Sequence, residues 1–175
     1  MPLGEAIACA TVTLYVVRHA HAGRRSNWTG DDRTRPLSDR GELQAKGIAA
    51  AVDGSRASKA TPRILASPAR RCVQTMEPLA HQVGGEVVED ARLFEGAGRR
   101  EIAALVDDVA DAADGDGTAV VCSHGDVIPI LLDLLVEAGM QPERNLVWQK
   151  ASTWVVDRVD GSWGAGRYLP PPDRA

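Results

Sequence analysis

Two apolar, β-branched runs end on a histidine. Thr11 to Val17 (TVTLYVV) stops at Arg18-His19, and Thr118 to Cys122 (TAVVC) stops at Ser123-His124-Gly125. A guanidinium beside an imidazole combines a bidentate anion clamp with a group that can be nucleophile, base or metal ligand. His124-Gly125 places a second imidazole where a strand meets a helix N-terminus, which favours anions. Between them lies Ser67-Pro68-Ala69-Arg70-Arg71-Cys72-Val73-Gln74-Thr75. With Pro68 as first helical residue, Arg71 shares a face with Gln74 and Thr75 and leans back toward the strand ends. Arg70 is rotated away by about 100° and faces solvent.

These residues need elements to position them. Both apolar runs lack polar alternation, as strands buried on both faces do. Residues 20–37 are polar and broken by Gly23, Gly30 and Pro36, so they form a long loop. A helix capped by Ser38 or Asp39 runs to about Val52, with Gly54 beyond it. The order continues with a strand at Arg63–Ala66, a helix from Pro68 to about Val83, a strand at Glu86–Glu89 and a helix at Arg99–Ala113. After the second apolar strand a helix runs to about Ala138, with Pro129 tolerated in its first turn. Asp160-Gly161 inside Trp148–Tyr168 signals a β-hairpin, and Pro170-Pro171-Pro172 reads as a terminal arm. Strands alternating with helices predict a three-layer α/β/α sandwich with a mostly parallel central sheet, plus the C-terminal hairpin, in one domain over 1–175 with its core at about 11–169. Ligands of such sheets bind at the carboxyl ends of the strands.

Composition narrows the function classes. The 175 residues are 44% hydrophobic and 25% charged, ordinary for a globular protein, and no apolar run is long enough to span a membrane. Cys9, Cys72 and Cys122 are odd in number and widely spaced, which points to a reducing, cytoplasmic setting. The net charge of −4 argues against a nucleic-acid partner. Seventeen arginines against three lysines reflect a biased composition, so an arginine counts only by its position.

Val16-Val17-Arg18-His19-Ala20, Ser67-Pro68-x-x-Arg71-x-x-Gln74-Thr75, Leu93-x-Glu95 and Ser123-His124-Gly125 together resemble the histidine phosphatase (phosphoglycerate mutase-like) superfamily, in the same order. The chain is similar to short SixA-like members and to the phosphatase domain appended to some actinobacterial Nudix hydrolases. The resemblance implies a phosphoglycerate mutase-like fold and a metal-independent phosphatase that hydrolyses phosphomonoesters of small metabolites or nucleotides. In that scheme His19 attacks phosphorus, Arg18, Arg71 and His124 hold the phosphoryl oxygens, and Glu95 protonates the leaving oxygen. His21 and Gly125 line the phosphate, and Arg24 and Arg25 of the basic loop capture a polyanionic substrate. No cofactor is implied, and the partner is a small phosphorylated substrate met by a monomer or homodimer.

Alternatives follow from the departures. Ala20 replaces the usual glycine and would be strained if that position needed positive φ. No residue stands for the Trp-Asn pair of the mutase branch, which disfavours phosphoglycerate-type mutase activity. A phosphohistidine protein phosphatase and a phosphate-binding module without turnover are further readings. His19, His21, His124 and Asp126 as a zinc or iron site would put Arg18 and Arg71 beside a cation, which is electrostatically poor. Cys122, within a buried strand, reads as inert.

Overall fold

A computed structural model describes residues 11–111 and 117–172. Seven strands form one sheet in the order β3-β2-β4-β1-β6-β7-β5. They are β1 (Thr11–Arg18), β2 (Arg63–Ala66), β3 (Val87–Glu89), β4 (Gly117–Ser123), β5 (Gln141–Pro142), β6 (Thr153–Val159) and β7 (Ser162–Leu169). The first four run parallel, whereas β6 and β7 add antiparallel strands beyond β1. The hairpin is therefore part of the central sheet, turning at Asp160 (φ 49°) and Gly161 (φ 79°). Cys9 lies outside the described residues, as does the expected end of the third helix at Ala113.

Helices α1 (Asp39–Ser55) and α2 (Arg70–Val83) cover one face, and α3 (Arg99–Asp111) and α4 (Val127–Glu137) the other. Successive β1 residues alternate between the two cores. Leu14 and Val16 pack with α3 and α4, while Tyr15 and Val17 pack with α1 and α2. Both faces are covered, so the run carries no polar alternation. Ser38 is the cap of α1, accepting from the Gly41 N–H at 3.3 Å, and α1 continues past Gly54 to Ser55. A side chain at Gly41 would meet the His21 carbonyl oxygen at 2.0 Å, so only glycine lets the long loop lie against α1.

Helix α2 starts at Arg70, two residues later than Pro68, with Ala69 as its cap. The Ser67 hydroxyl is committed elsewhere: it lies 2.7 Å from His124 Nε2 and only 3.3 Å from the Ala69 N–H. The proline-rich arm folds back, because a side chain at Gly47 of α1 would collide with Pro172.

Candidate active site

The carboxyl ends of β1, β2 and β4 lie side by side, with Arg18 paired to Ser123 and Ala66 to Cys122. Leaving β1, His19 is buried, and its Nδ1 lies 2.8 Å from the Ala20 carbonyl oxygen. A carbonyl only accepts, so Nδ1 carries the proton and Nε2 keeps its lone pair. The pKa of His19 falls well below the usual histidine value. Burial is the chief cause; His124, Arg71 and Arg18 add to it, against the opposing Ala20 hydrogen bond. The neighbouring arginines are thus secondary to desolvation. Ala20 is unstrained, since among the described residues only Ala151 and Asp160 are non-glycines with positive φ.

Arg71 is fully buried on the first turn of α2, while Arg70 is exposed. Thr75 ties this turn to β1: its hydroxyl accepts from the Ala20 N–H at 3.0 Å and donates to the Arg71 carbonyl at 2.6 Å. Arg71 Nη2 lies 3.3 Å from His124 Nδ1. The His19 and His124 rings stand 5.4 Å apart, edge to face. Arg18 donates through Nη1 to the Trp148 carbonyl at 2.8 Å, and its Nη2 lies 2.8 Å from where a Gly125 side chain would begin. Gly125 thus makes room for the Arg18 guanidinium. Four groups able to bind or attack a phosphoryl group thus come from the ends of β1 and β4 and the first turn of α2.

Two carboxylates face this wall. Glu95 Oε1 lies 2.9 Å from Arg71 Nη2 and 3.3 Å from His124 Nδ1. Its segment is anchored by Ser123, whose hydroxyl donates to the Leu93 carbonyl at 2.6 Å. Asp32, from the long loop, was not anticipated. Its Oδ2 is 3.1 Å from Arg71 Nη2, and its carbonyl accepts from Arg71 Nη1 at 2.7 Å. Arg35 and Arg25 also hold its carboxylate, at 2.7 and 3.2 Å. Its partial burial acts to raise its pKa, but the Arg35 hydrogen bond and the charges of Arg71, Arg35 and Arg25 prevail and lower it.

The remaining candidates lie farther out. Arg25 is joined to Arg71 only through Asp32, and Arg24 is exposed in the same loop. His21 Nδ1 is 2.7 Å from the Ser38 hydroxyl, and the Asp126 carboxylate accepts from the Gly96 N–H at 2.8 Å. Among the described residues no three His, Cys, Asp or Glu side chains are grouped to hold a metal ion. Behind His124, Cys72 Sγ lies 3.5 Å from Nε2. Burial raises the Cys72 pKa, but hydrogen bonds with Cys122 and His124 outweigh it, and Cys72 is the more acidic thiol of the pair. Burial pushes Cys122 up and keeps it inert. Asp32 carried no spacing signal, because it reaches the site from the long loop.

Fold and site together define a class: an α/β fold that gathers arginine and histidine side chains at the carboxyl ends of its strands. Residues 14–101, half of the chain, match the histidine phosphatase superfamily (branch 1), and the chain belongs to that superfamily. A relative from Mycolicibacterium smegmatis, an 8-oxo-(d)GTP phosphatase, is 36% identical over 93% of this chain. The chain spans about half of that relative's length, 49%. The fold is also that of the protein histidine phosphatase SixA complexed with tungstate (TM-score 0.69, 18% identity, 90% of this chain and 94% of that one). It is shared by a phosphoglycerate mutase from Bacillus anthracis (0.67, 17%, 89% and 91%). Among the described residues no helix is long and apolar enough to cross a membrane.

Proposed function

We propose that this chain is a metal-independent phosphatase for phosphomonoesters of small metabolites or nucleotides, acting through a phosphohistidine on His19 Nε2. The observation that carries the reading is the His19 hydrogen bond to Ala20, which leaves a lone pair on Nε2 of a buried, neutral imidazole beside Arg18, Arg71 and His124. A phosphoryl group needs in-line attack and neutralisation of its equatorial oxygens. Two guanidiniums supply that charge, with the His124 ring beside them, and a metal ion placed among them would be repelled.

Phosphate would take the position that Glu95 Oε1 now holds on Arg71 and His124. Glu95, whose side chain is 41% exposed on its loop, would move aside. His19 Nε2 forms a bond to phosphorus as the ester oxygen departs with the proton that a monoprotonated phosphate ester brings, relayed by the Glu95 carboxylate. Water then attacks the phosphohistidine, one of its protons passing by way of Glu95 to the phosphate, giving dihydrogen phosphate and restoring neutral His19 and the Glu95 carboxylate. Asp32 is unsuited to donate that proton, because its cationic partners keep it ionised. The 8-oxo-(d)GTP phosphatase relative supports nucleotides within the substrate class.

A screen of phosphorylated compounds in EDTA tests metal independence and substrate class together. Rapid acid quench with labelled substrate is expected to trap an acid-labile, base-stable phosphoenzyme in the wild type and none in His19→Ala. Turnover without such an intermediate would overturn the mechanism.

A further inference from the structure

The turn between β5 and β6 is fastened to the end of β1 more tightly than a passing loop requires. The Ala151 N–H donates to the carbonyls of both Arg18 (3.1 Å) and His19 (3.2 Å), and the Arg18 N–H donates to the Ser152 carbonyl at 3.0 Å. Ser152 returns the favour within the turn, its hydroxyl donating to the Gln149 carbonyl at 2.7 Å. Ala151 is buried and holds φ at 66°, a left-handed conformation that costs a residue with a β-carbon. Strain kept by surrounding bonds is a mark of functional positioning.

The residue this turn presents is Lys150, one of three lysines in the chain. It is half-buried, and among the described residues no carboxylate pairs with it. The carboxylates of the site are engaged with other groups: Asp32 with Arg35 and Arg71, Glu95 with Arg71 and His124, and Asp126 with the Gly96 N–H. Burial lowers the Lys150 pKa, and the charges of Arg18, Arg35 and Arg71 lower it further. The Lys150 charge in turn reaches His21, after burial the next cause of that residue's lowered pKa. An unpaired, partly desolvated ammonium amid guanidiniums is costly unless a ligand brings negative charge.

We infer that Lys150, on the turn bonded to the Arg18 and His19 carbonyls, forms a second anion subsite next to the phosphoryl pocket, so that the preferred substrate carries a second phosphate beyond the one transferred. This rests on the phosphatase reading above and sharpens its substrate class to diphosphate- or bisphosphate-bearing compounds. Arg18 lies between the subsites, its guanidinium against Gly125 and its backbone carbonyl bonded to the Lys150 turn. Arg35 commits Nε to Asp32 and Nη1 to the Ala22 carbonyl.

The test is calorimetric binding of methylenediphosphonate and of orthophosphate to the full chain, in EDTA at fixed pH and ionic strength. Wild type is expected to bind the diphosphonate roughly tenfold tighter, the scale of one charge-assisted contact. Lys150→Gln should narrow that ratio to about threefold or less, and Lys150→Arg should retain it. An unchanged ratio in Lys150→Gln, or no preference in wild type, would overturn the second subsite while leaving the phosphatase reading intact. Failure of wild type to bind either anion would overturn the phosphatase reading and this inference with it.

Discussion

The two sides of the site are built differently. On the sheet side, His19, Arg71 and His124 are at most 5% exposed and locked by Ala20, Thr75 and Ser67. On the loop side, the Asp32 and Glu95 side chains are 12% and 41% exposed and reach the centre from irregular segments. The cations cannot move without breaking strands or a helix turn. The carboxylates sit on loops, so in the proposed reaction an incoming phosphate would compete with two loop anions rather than with the fold. That proposal leaves recognition to the buried cations, and protonation and access to the loops.

Replacing the nucleophile should break the sheet side most completely. His19→Ala is expected to abolish turnover with the fold retained, checked by steady-state rates and circular dichroism; residual activity within about tenfold of wild type would remove His19 from the nucleophile role. Arg71→Ala should cost about 10²–10³-fold in rate, by analogy with loss of an oxyanion donor. Arg70→Ala, on an exposed side chain, should stay near wild type in the same assay.

On the loop side the effects become conditional. General acid catalysis contributes about 10²–10⁴-fold where the leaving oxygen must be protonated. Glu95→Gln should therefore slow alkyl phosphate hydrolysis severely and p-nitrophenyl phosphate only mildly. Equal losses on both substrates would make Glu95 a positioning residue. Asp32→Asn weakens a competing anion on Arg71, so orthophosphate should bind several-fold tighter by calorimetry; weaker binding would mean that Asp32 chiefly holds Arg71 in place.

The smallest effect concerns acid stability. His19 has a folded pKa well below the usual 6.5, so below pH 6.5 the unfolded chain takes the proton first. Stability is undiminished above pH 6.5 and falls as the pH drops from there toward the folded value. Thermal melts should show a shallower acid-side decline in His19→Gln than in wild type. By the same depression, the acid limb of the wild-type rate profile attributable to His19 should fall below pH 6.5.

Local patterns were legible because they depend on neighbours in sequence. The apolar runs ending at Arg18-His19 and Ser123-His124 announced buried strands, and helical phase separated Arg71 from Arg70 even though α2 begins later than Pro68 suggested. The Asp160-Gly161 turn announced a hairpin, yet nothing local shows that β6 would pair with β1 and extend the sheet. Asp32 and Lys150 come to the centre from segments far apart in sequence. Their side chains have no period or spacing of their own relative to His19. The chain's residue types and local periodicities thus determined which groups could do chemistry and which elements would carry them. Only the tertiary structure decided which loop anions oppose Arg71 and which imidazole nitrogen is left free, because those depend on close approach between segments whose separation in sequence sets no distance in space.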